Sequence, residues 1–102
     1  MTIVTAVAIH PRAGDVWDQL QKQLSKSKDI IEKHGGENVT LLATAIGGPQ
    51  TNVLTMLVTA PNWTRFGEIQ EKVYNDAEMQ ALLVESGKIA TWEISTAQTV
   101  DF

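Results

Sequence analysis

Two histidines, His10 and His34, are the side chains of this chain best suited to acid–base or metal chemistry near neutral pH. His10 ends a strand-like run, and a stretch of helical pattern about 20 residues long, or about 30 Å, separates it from His34. The spacing therefore predicts that the two histidines lie at opposite ends of a sheet and cannot share a metal. His10, close to Arg12, is a weak candidate for an acid or base at the mouth of a cleft; the alternative is a loop histidine. His34 is expected to be a surface residue at a helix C-terminus.

Other common catalytic and cofactor motifs do not occur. The chain has no cysteine, which excludes disulfides and cysteine-based zinc or iron–sulfur sites. Its pairs of adjacent glycines do not follow the spacing of phosphate-binding loops. Ser25 and Ser86 lie in helical patterns with no histidine nearby in sequence, so no catalytic triad can be proposed. We expect no metal, flavin or haem cofactor.

Large aromatic and thioether side chains are the stronger candidates for a binding site. Such residues can form an adaptable apolar pocket with a few polar tips, although ordinary core packing would use them equally well. The predicted ligand-binding residues are Met56, Trp63, Tyr74, Met79 and Trp92.

Glu93 is the one carboxylate inside a predicted apolar strand. It is expected to be solvated if that strand lies at a sheet edge. If instead it faced a buried interface, it would need a cationic partner such as Arg65 or Lys88. The sequence does not decide which face of the strand carries Trp92 and which carries Glu93.

Composition narrows the class of protein. A formal net charge of −4, with the eight lysines and arginines scattered along the chain, argues against nucleic acid as the main partner. The N-terminal run has no basic segment and is too short to span a membrane, so we expect neither a signal peptide nor a membrane partner. The expectation is a single cytoplasmic domain over residues 1–102.

The periodicity predicts two helical regions and four strands. One helix is expected from a cap at Asp15 to about Lys33, followed by a left-handed exit at Gly35-Gly36. A second begins after Asn62, breaks at Asn75-Asp76 and ends at Gly87. The strands are expected at residues 2–9, 39–46, 53–60 and about 89–100, with a hairpin loop at 47–52. This order, β-α-β-β-α-β, predicts an α+β, ferredoxin-like fold with a four-stranded antiparallel sheet.

The first three strands are apolar on both faces, with Thr, Ala, Val, Leu and Met at alternate positions and no Lys, Glu or Arg. An antiparallel sheet that has helices on one side and water on the other should alternate apolar and polar residues. A second layer must therefore cover the other face, and the simplest cover is a second copy of the same sheet. The sequence predicts a homodimer.

The chain resembles the dimeric α/β-barrel superfamily, which includes antibiotic-biosynthesis-type monooxygenases, NIPSNAP-like proteins and stress-responsive barrel proteins. The likeness lies in the strand end Pro11-Arg12-Ala13-Gly14, in Trp63 and Phe66 after the third strand, and in the helix break from Asn75 to Leu83. The resemblance implies that two sheets pair into an eight-stranded barrel across a dimer. It also implies a ligand cleft between each sheet and its helices.

The catalytic residues of several such relatives are not matched. Haem-degrading members resemble this chain in outline, but it carries Ala60 where they carry a Trp near the end of the third strand. Met79 stands where polyketide cyclases carry a His. We therefore expect a homodimer that binds a small apolar or aromatic molecule in the cleft, and whether it is an enzyme stays open. The alternatives are a cofactor-independent monooxygenase or isomerase of quinol-like or polyketide-like substrates, and a purely structural oligomer.

Overall fold

A computed structural model of the chain describes residues 2–12, 17–43 and 53–100. Along the chain the elements are β1 (Ile3–Pro11), α1 (Trp17–Lys33), β2 (Glu37–Ala43), β3 (Leu54–Ala60), α2 (Trp63–Tyr74), α3 (Ala77–Ile89) and β4 (Ala90–Gln98). Since α2 and α3 are the two parts of the predicted broken helix, the predicted ferredoxin-like α+β fold is confirmed. The predicted cap at Asp15, the end of the second strand at 44–46 and the loop at 47–52 lie outside the described residues.

The four strands form one antiparallel sheet in the order β2-β3-β1-β4. Within β1 the buried residues alternate with half-buried ones, so Val7 and Ile9 share one face of the sheet with their cross-strand partners. Met56 on β3 and Ile94 on β4 flank Val7 on this face. The helices pack here, and we call it the inner face.

The hydrophobic core lies between the inner face and the helices. Each helix contributes apolar residues at helical spacing, as the sequence pattern predicts. The core residues from the helices are Leu20, Leu24, Ile30 and Ile31 of α1, Ile69 and Val73 of α2, and Met79 and Leu82 of α3. This single layer of helices covers one side of the sheet only.

The ends of the helices follow local capping chemistry. The Asn62 side chain accepts a hydrogen bond from the Arg65 amide, and Asp76 accepts bonds from the amides of Glu78 and Met79. Gly35 has φ 103°, which confirms the predicted left-handed exit from α1.

The predicted end of the helix at Gly87 is wrong, because α3 continues to Ile89. Buried groups on both sides keep this turn helical. Ser86 is buried and hydrogen-bonded to α1 through Gln23, and Ile89 packs against the core. Ala90 then closes the last turn, since its amide donates to the Ser86 carbonyl. Tertiary packing therefore outweighs the weak helix propensity of glycine at this position.

The other face of the sheet, here called the outer face, carries small and apolar side chains beside threonines. Val4, Ala6 and Ala8 of β1 are half-buried, and Leu57 of β3 lies opposite Ala6. None of the described helices packs on this face. The principal extents of 38 × 37 × 16 Å are those of a slab made of one sheet and one helix layer. None of the described helices is long and apolar enough to cross a membrane.

Candidate ligand-binding cleft

A cavity of about 80 Å³ lies between the inner face of the sheet and the helices. Two of its lining residues, Tyr74 and Ile94, are 46% and 50% exposed. The described residues that line it come from six of the seven elements. They are Thr5, Val7, Ser27, Ile31, Met56, Val58, Thr59, Ala60, Phe66, Ile69, Gln70, Val73, Tyr74, Met79, Leu83, Trp92 and Ile94.

The lining is apolar and uncharged. No Lys, Arg, His, Asp or Glu occurs among the described lining residues. Ser27 is a polar group of this lining, and its hydroxyl donates a 3.0 Å hydrogen bond to the Gln23 carbonyl of the preceding helical turn. Gln70 and Tyr74 of α2 are further lining residues whose side chains carry a polar group. Such a site favours neutral, mostly apolar ligands, because an ion placed there would lose its hydration without gaining a charged partner.

Four of the five residues predicted to bind a ligand lie together at this cavity. Met56 reaches it from β3, Tyr74 and Met79 from either side of the helix break, and Trp92 from β4. The break at Asn75-Asp76 brings Tyr74 and Met79 to the same cavity from two separate helices.

The structure does not place Trp63 in the cavity lining. It is 46% exposed, and its indole Nε1 donates a 2.9 Å hydrogen bond to Oε1 of Gln98, the last residue of β4. Its ring contacts Phe66 edge to face, with the ring centroids 5.6 Å apart. Phe66, one helical turn further along α2, lines the cavity instead. Trp63 therefore packs against Phe66, which lines the cavity, but does not line the cavity itself.

His10 lies on the outer face, away from the cavity. Its neighbour Ile9 points inward, and successive side chains of a strand point to opposite faces. The prediction that His10 could stand at the mouth of the cleft is therefore not met. Its Nε2 atom lies 3.5 Å from Oε2 of Glu93 but is buried without a hydrogen-bond partner among the described residues. The contact lacks hydrogen-bond geometry.

The alternation of side chains along a strand also shows which face of β4 carries Trp92 and which carries Glu93. Trp92 pairs with the inward-facing Ile9, so it lies on the inner face, whereas Glu93 pairs with Ala8 on the outer face. Glu93 has an exposed side chain on an edge strand, which agrees with the solvated alternative. Arg65 and Lys88, considered as its partners, instead pair with Glu68 and Glu85.

Sequence reasoning missed several residues of the lining. Phe66, Ile69 and Val73 share one face of α2 with the spacing of an amphipathic helix, and this pattern could have identified them. Thr5 and Ser27 were missed because small polar residues in strands and helices are usually solvated. Only the packing of β1 against α1 places them beside the cavity.

A second, polar depression lies at the surface near the helix break, and its lining includes His34, Glu68, Lys72 and Asp76. His34 is not a simple surface residue, because its side chain is 19% exposed and its Nε2 donates to Asp76. The hydrogen bond from His34, then that from the Met79 amide, lower the pKa of Asp76 from 3.8 to about 2. The Glu78 amide and the charge of Lys33 act in the same direction, against the effect of burial. Among the described residues, no group of three or more His, Cys, Asp or Glu side chains could hold a metal.

Comparison with known proteins identifies solved structures with a similar fold. No protein-family model matches the chain, and no curated protein matches it by sequence. Its fold is similar to that of SnoaB from Streptomyces nogalater, a cofactor-independent oxygenase, with a TM-score of 0.76 and 8% identity over 99% of this chain and 95% of that one. This is the ferredoxin-like fold.

NIPSNAP proteins share the same fold. One from Agrobacterium tumefaciens has a TM-score of 0.77 and 18% identity, covering 100% of this chain and 96% of that one. An uncharacterised one from Burkholderia xenovorans has a TM-score of 0.78 and 15% identity, covering 98% of this chain and 96% of that one. The predicted resemblance to antibiotic-biosynthesis-type monooxygenases and NIPSNAP-like proteins is therefore confirmed for the fold of the single chain.

Proposed function

We propose that this protein is a homodimer that binds a small, neutral, mostly apolar molecule in the cleft between its sheet and helices. The main support for this proposal is the uncharged cavity between these two layers. A purely structural protein would be expected to fill this space with its own side chains, because protein interiors are close-packed. Around this cavity the lining instead combines Met56 and Met79, which adapt to irregular shapes, with the aromatic rings of Phe66 and Trp92.

The outer face supports the dimeric part of the proposal. Val4, Ala6, Ala8 and Leu57 leave an apolar surface in the middle of the sheet, with no described helix above it. Monomeric proteins rarely expose contiguous apolar patches larger than a few hundred Å². A second copy packed face to face would cover the patch with a self-complementary surface, as a two-fold dimer requires.

A cofactor-independent monooxygenase or isomerase is the second candidate, and the fold shared with SnoaB favours it. In such an enzyme the pocket positions a substrate that supplies much of its own reactivity. The described lining contains no carboxylate or histidine to act as a general base. This absence makes binding the simpler proposal, and oxygen uptake with added hydroquinones would favour the enzyme.

The binding proposal can be tested by filling the cavity. Val73 on α2 lines it and is buried, so Val73→Phe should occupy the space in which a ligand would sit. Val84 on α3 is 64% exposed and outside the lining, so Val84→Phe is the matched control. Binding of neutral aromatic compounds, including quinones, would be measured by titration in two-dimensional NMR spectra.

We expect at least one such compound to bind the wild-type protein and Val84→Phe with similar affinity. Val73→Phe should weaken that binding at least tenfold. If no compound of the panel binds, or if Val73→Phe binds as well as the wild type, the cleft is not a ligand site. The protein would then be better described as a structural dimer.

A further inference from the structure

Thr5 is the polar exception on the inner face of β1. The other buried residues of this strand are the apolar Ile3, Val7 and Ile9. Thr5 is buried among them with 8% of its surface exposed, pairs with Val58 of β3 and lines the cavity. Valine has the same branched shape as threonine without a hydroxyl. The packing of the sheet therefore gives no reason for a hydroxyl at this position.

The hydroxyl of Thr5 forms no hydrogen bond with the described residues, yet it is not sealed from the cavity. Among the described residues, the buried polar side-chain atoms without a partner are Nε2 of His10 and Nε1 of Trp92, and the Thr5 oxygen is not one of them. The oxygen therefore keeps some accessible surface. Because the side chain is buried on the inner face, below the helices, this surface borders the cavity that Thr5 lines.

Ser27 shows the usual state of a hydroxyl in this environment. It also lines the cavity and is 1% exposed, but it donates a 3.0 Å hydrogen bond to the Gln23 carbonyl. A hydroxyl that is nine-tenths buried and has no partner in the protein lowers stability, because it loses most of its contact with water. Departures of this kind are expected at functional sites. Thr5 is therefore the lining hydroxyl that is placed to bind a ligand.

The chemistry of the cavity limits what that ligand can be. Among the described lining residues no side chain is charged, so a carboxylate or an ammonium group would find no counter-ion. A threonine hydroxyl can rotate to donate or to accept a hydrogen bond, so an uncharged oxygen is a suitable partner. The volume of about 80 Å³ is well below the 300–1,000 Å³ typical of sites for drug-sized ligands, which favours a small molecule.

We propose that Thr5 determines the specificity of the cleft, and that its hydroxyl forms a hydrogen bond with an uncharged oxygen of a small, neutral ring compound. The apolar part of the compound then contacts the methionine and aromatic side chains of the lining. Thr5 selects the oxygen-bearing compound over a hydrocarbon of the same shape. This inference rests on the proposed binding function of the cleft and names the polar group that its ligand carries.

The test uses ligands that differ in one group, with binding measured by NMR titration near neutral pH. Phenol and toluene have nearly the same shape, but only phenol carries an oxygen. Because one neutral hydrogen bond contributes modestly to affinity, phenol should bind the wild-type protein about three- to tenfold more tightly than toluene. Benzoate, which is charged, should bind more weakly than phenol.

Thr5→Val keeps the branched shape of the side chain and removes the hydroxyl. In this variant phenol and toluene should bind with nearly equal affinity, while the affinity for toluene changes less than twofold. Thr5→Ser keeps a hydroxyl and should retain the preference for phenol. Ser27→Ala is the matched control, because it removes a lining hydroxyl that is already bonded to Gln23, and it should also retain the preference.

Stability provides a readout that distinguishes a binding role from a structural one. If the Thr5 hydroxyl serves the ligand and not the fold, Thr5→Val should leave the urea midpoint of the ligand-free protein unchanged or raise it. A lower midpoint, together with an equal loss of affinity for phenol and toluene, would show that Thr5 has a structural role and would overturn the inference.

The remaining outcomes separate this inference from the proposed function. If phenol and toluene bind the wild-type protein equally, or if Thr5→Val retains the preference for phenol, the cleft binds ligands but Thr5 does not select the oxygen. Tighter binding of benzoate than of phenol would overturn the neutral class of ligand. If only compounds of two or more fused rings bind, the inference about small ligands is wrong while the binding function stands. Absence of binding by every compound, large or small, overturns both.

Discussion

Nε2 of His34 donates a 2.8 Å hydrogen bond to Oδ2 of Asp76, a residue 42 positions later in the chain. The other carboxylate oxygen, Oδ1, accepts from the amides of Glu78 and Met79 at 2.9 and 3.2 Å. One carboxylate therefore joins the end of α1 to the start of α3. Because Met79 lines the cavity, this junction also fixes one wall of the cleft.

The Asp76 junction predicts an acid-sensitive contribution to stability. The pKa of Asp76 is lowered from 3.8 to about 2, chiefly by the hydrogen bond from His34. A depressed pKa means that the folded state favours the carboxylate, so the contribution is complete above about pH 4 and is lost as the pH falls towards 2. Asp76→Asn should lower the urea midpoint of unfolding at pH 6, and its difference from the wild type should shrink steadily between pH 4 and pH 2.

Asp29→Asn is a suitable control for this experiment, because Asp29 is exposed in the middle of α1. Its midpoint should follow that of the wild type across the same range. A difference between Asp76→Asn and the wild type that stays constant from pH 6 to pH 2 would contradict the assignment.

A buried hydrogen bond between α1 and α3 predicts a second stability effect. The hydroxyl of Ser86 donates to Oε1 of Gln23 at 2.8 Å, and both residues are buried. Ser86→Ala leaves the Gln23 amide oxygen without this donor, which should lower the free energy of unfolding by about 1–3 kcal/mol. Ser25→Ala, at an exposed position of α1, should change it by less than about 0.5 kcal/mol.

The double variant Gln23→Leu, Ser86→Ala distinguishes a hydrogen bond from simple packing. Removing both polar partners should recover part of the loss, because no buried polar group is then left unsatisfied. Chemical denaturation monitored by circular dichroism gives the free energies of unfolding of the wild type, Gln23→Leu, Ser86→Ala and the double variant. If the double variant loses more free energy of unfolding than the two single variants lose together, the hydrogen bond does not explain the effect of Ser86→Ala.

Substitution by alanine at two glycines, Gly87 and Gly35, should change the stability of the protein in opposite directions. Gly87 lies within α3, and a Cβ added there meets nothing, so Gly87→Ala should stabilise the protein by about 0.5–1 kcal/mol. Gly35 has φ 103°, a backbone conformation that L side chains rarely adopt, so Gly35→Ala should destabilise the protein by about 1–2 kcal/mol. Thermal unfolding would measure the change in melting temperature of each variant. Changes of the same sign in Gly87→Ala and Gly35→Ala would contradict the prediction.

The outer face predicts the oligomeric state. Light scattering at micromolar concentration should return twice the monomer mass of 11.2 kDa. Ala6→Glu places a charge in the middle of the outer face and should shift the protein to monomer, because a buried unpaired carboxylate is costly. Ala81→Glu, at an exposed position of α3, should leave the mass unchanged. A wild-type protein that runs as a monomer would refute the dimer.

The chemistry of the side chains predicts a protein that purifies colourless and without a stoichiometric cofactor. It has no cysteine and only two histidines, which contact different residues: His10 lies beside Glu93 on the outer face and His34 beside Asp76. Elemental analysis and a visible spectrum should detect less than one equivalent of metal, flavin or haem per chain. One equivalent of any of them would overturn this expectation.

The sequence by itself was sufficient for the order of the elements and for most of their bounds. These features depend on local signals, such as the Asn62 and Asp76 caps and the left-handed Gly35, which act within a few residues of the chain. The side-chain types of the cleft were also predictable in part, since Met79 and Tyr74 flank a break that is visible in the sequence. Gly87 was misread because its helical state depends on contacts made by its neighbours.

Only the tertiary structure decided which face each strand residue occupies and what lies across from it. A shift of one residue moves a strand side chain to the opposite face, so the register placed Trp92 in the cleft and Glu93 outside it. The same effect removed His10 from the cleft, and the contact with Gln98 held Trp63 outside the lining. Local sequence cannot specify these positions, because they are set by pairing between segments that are distant in the chain.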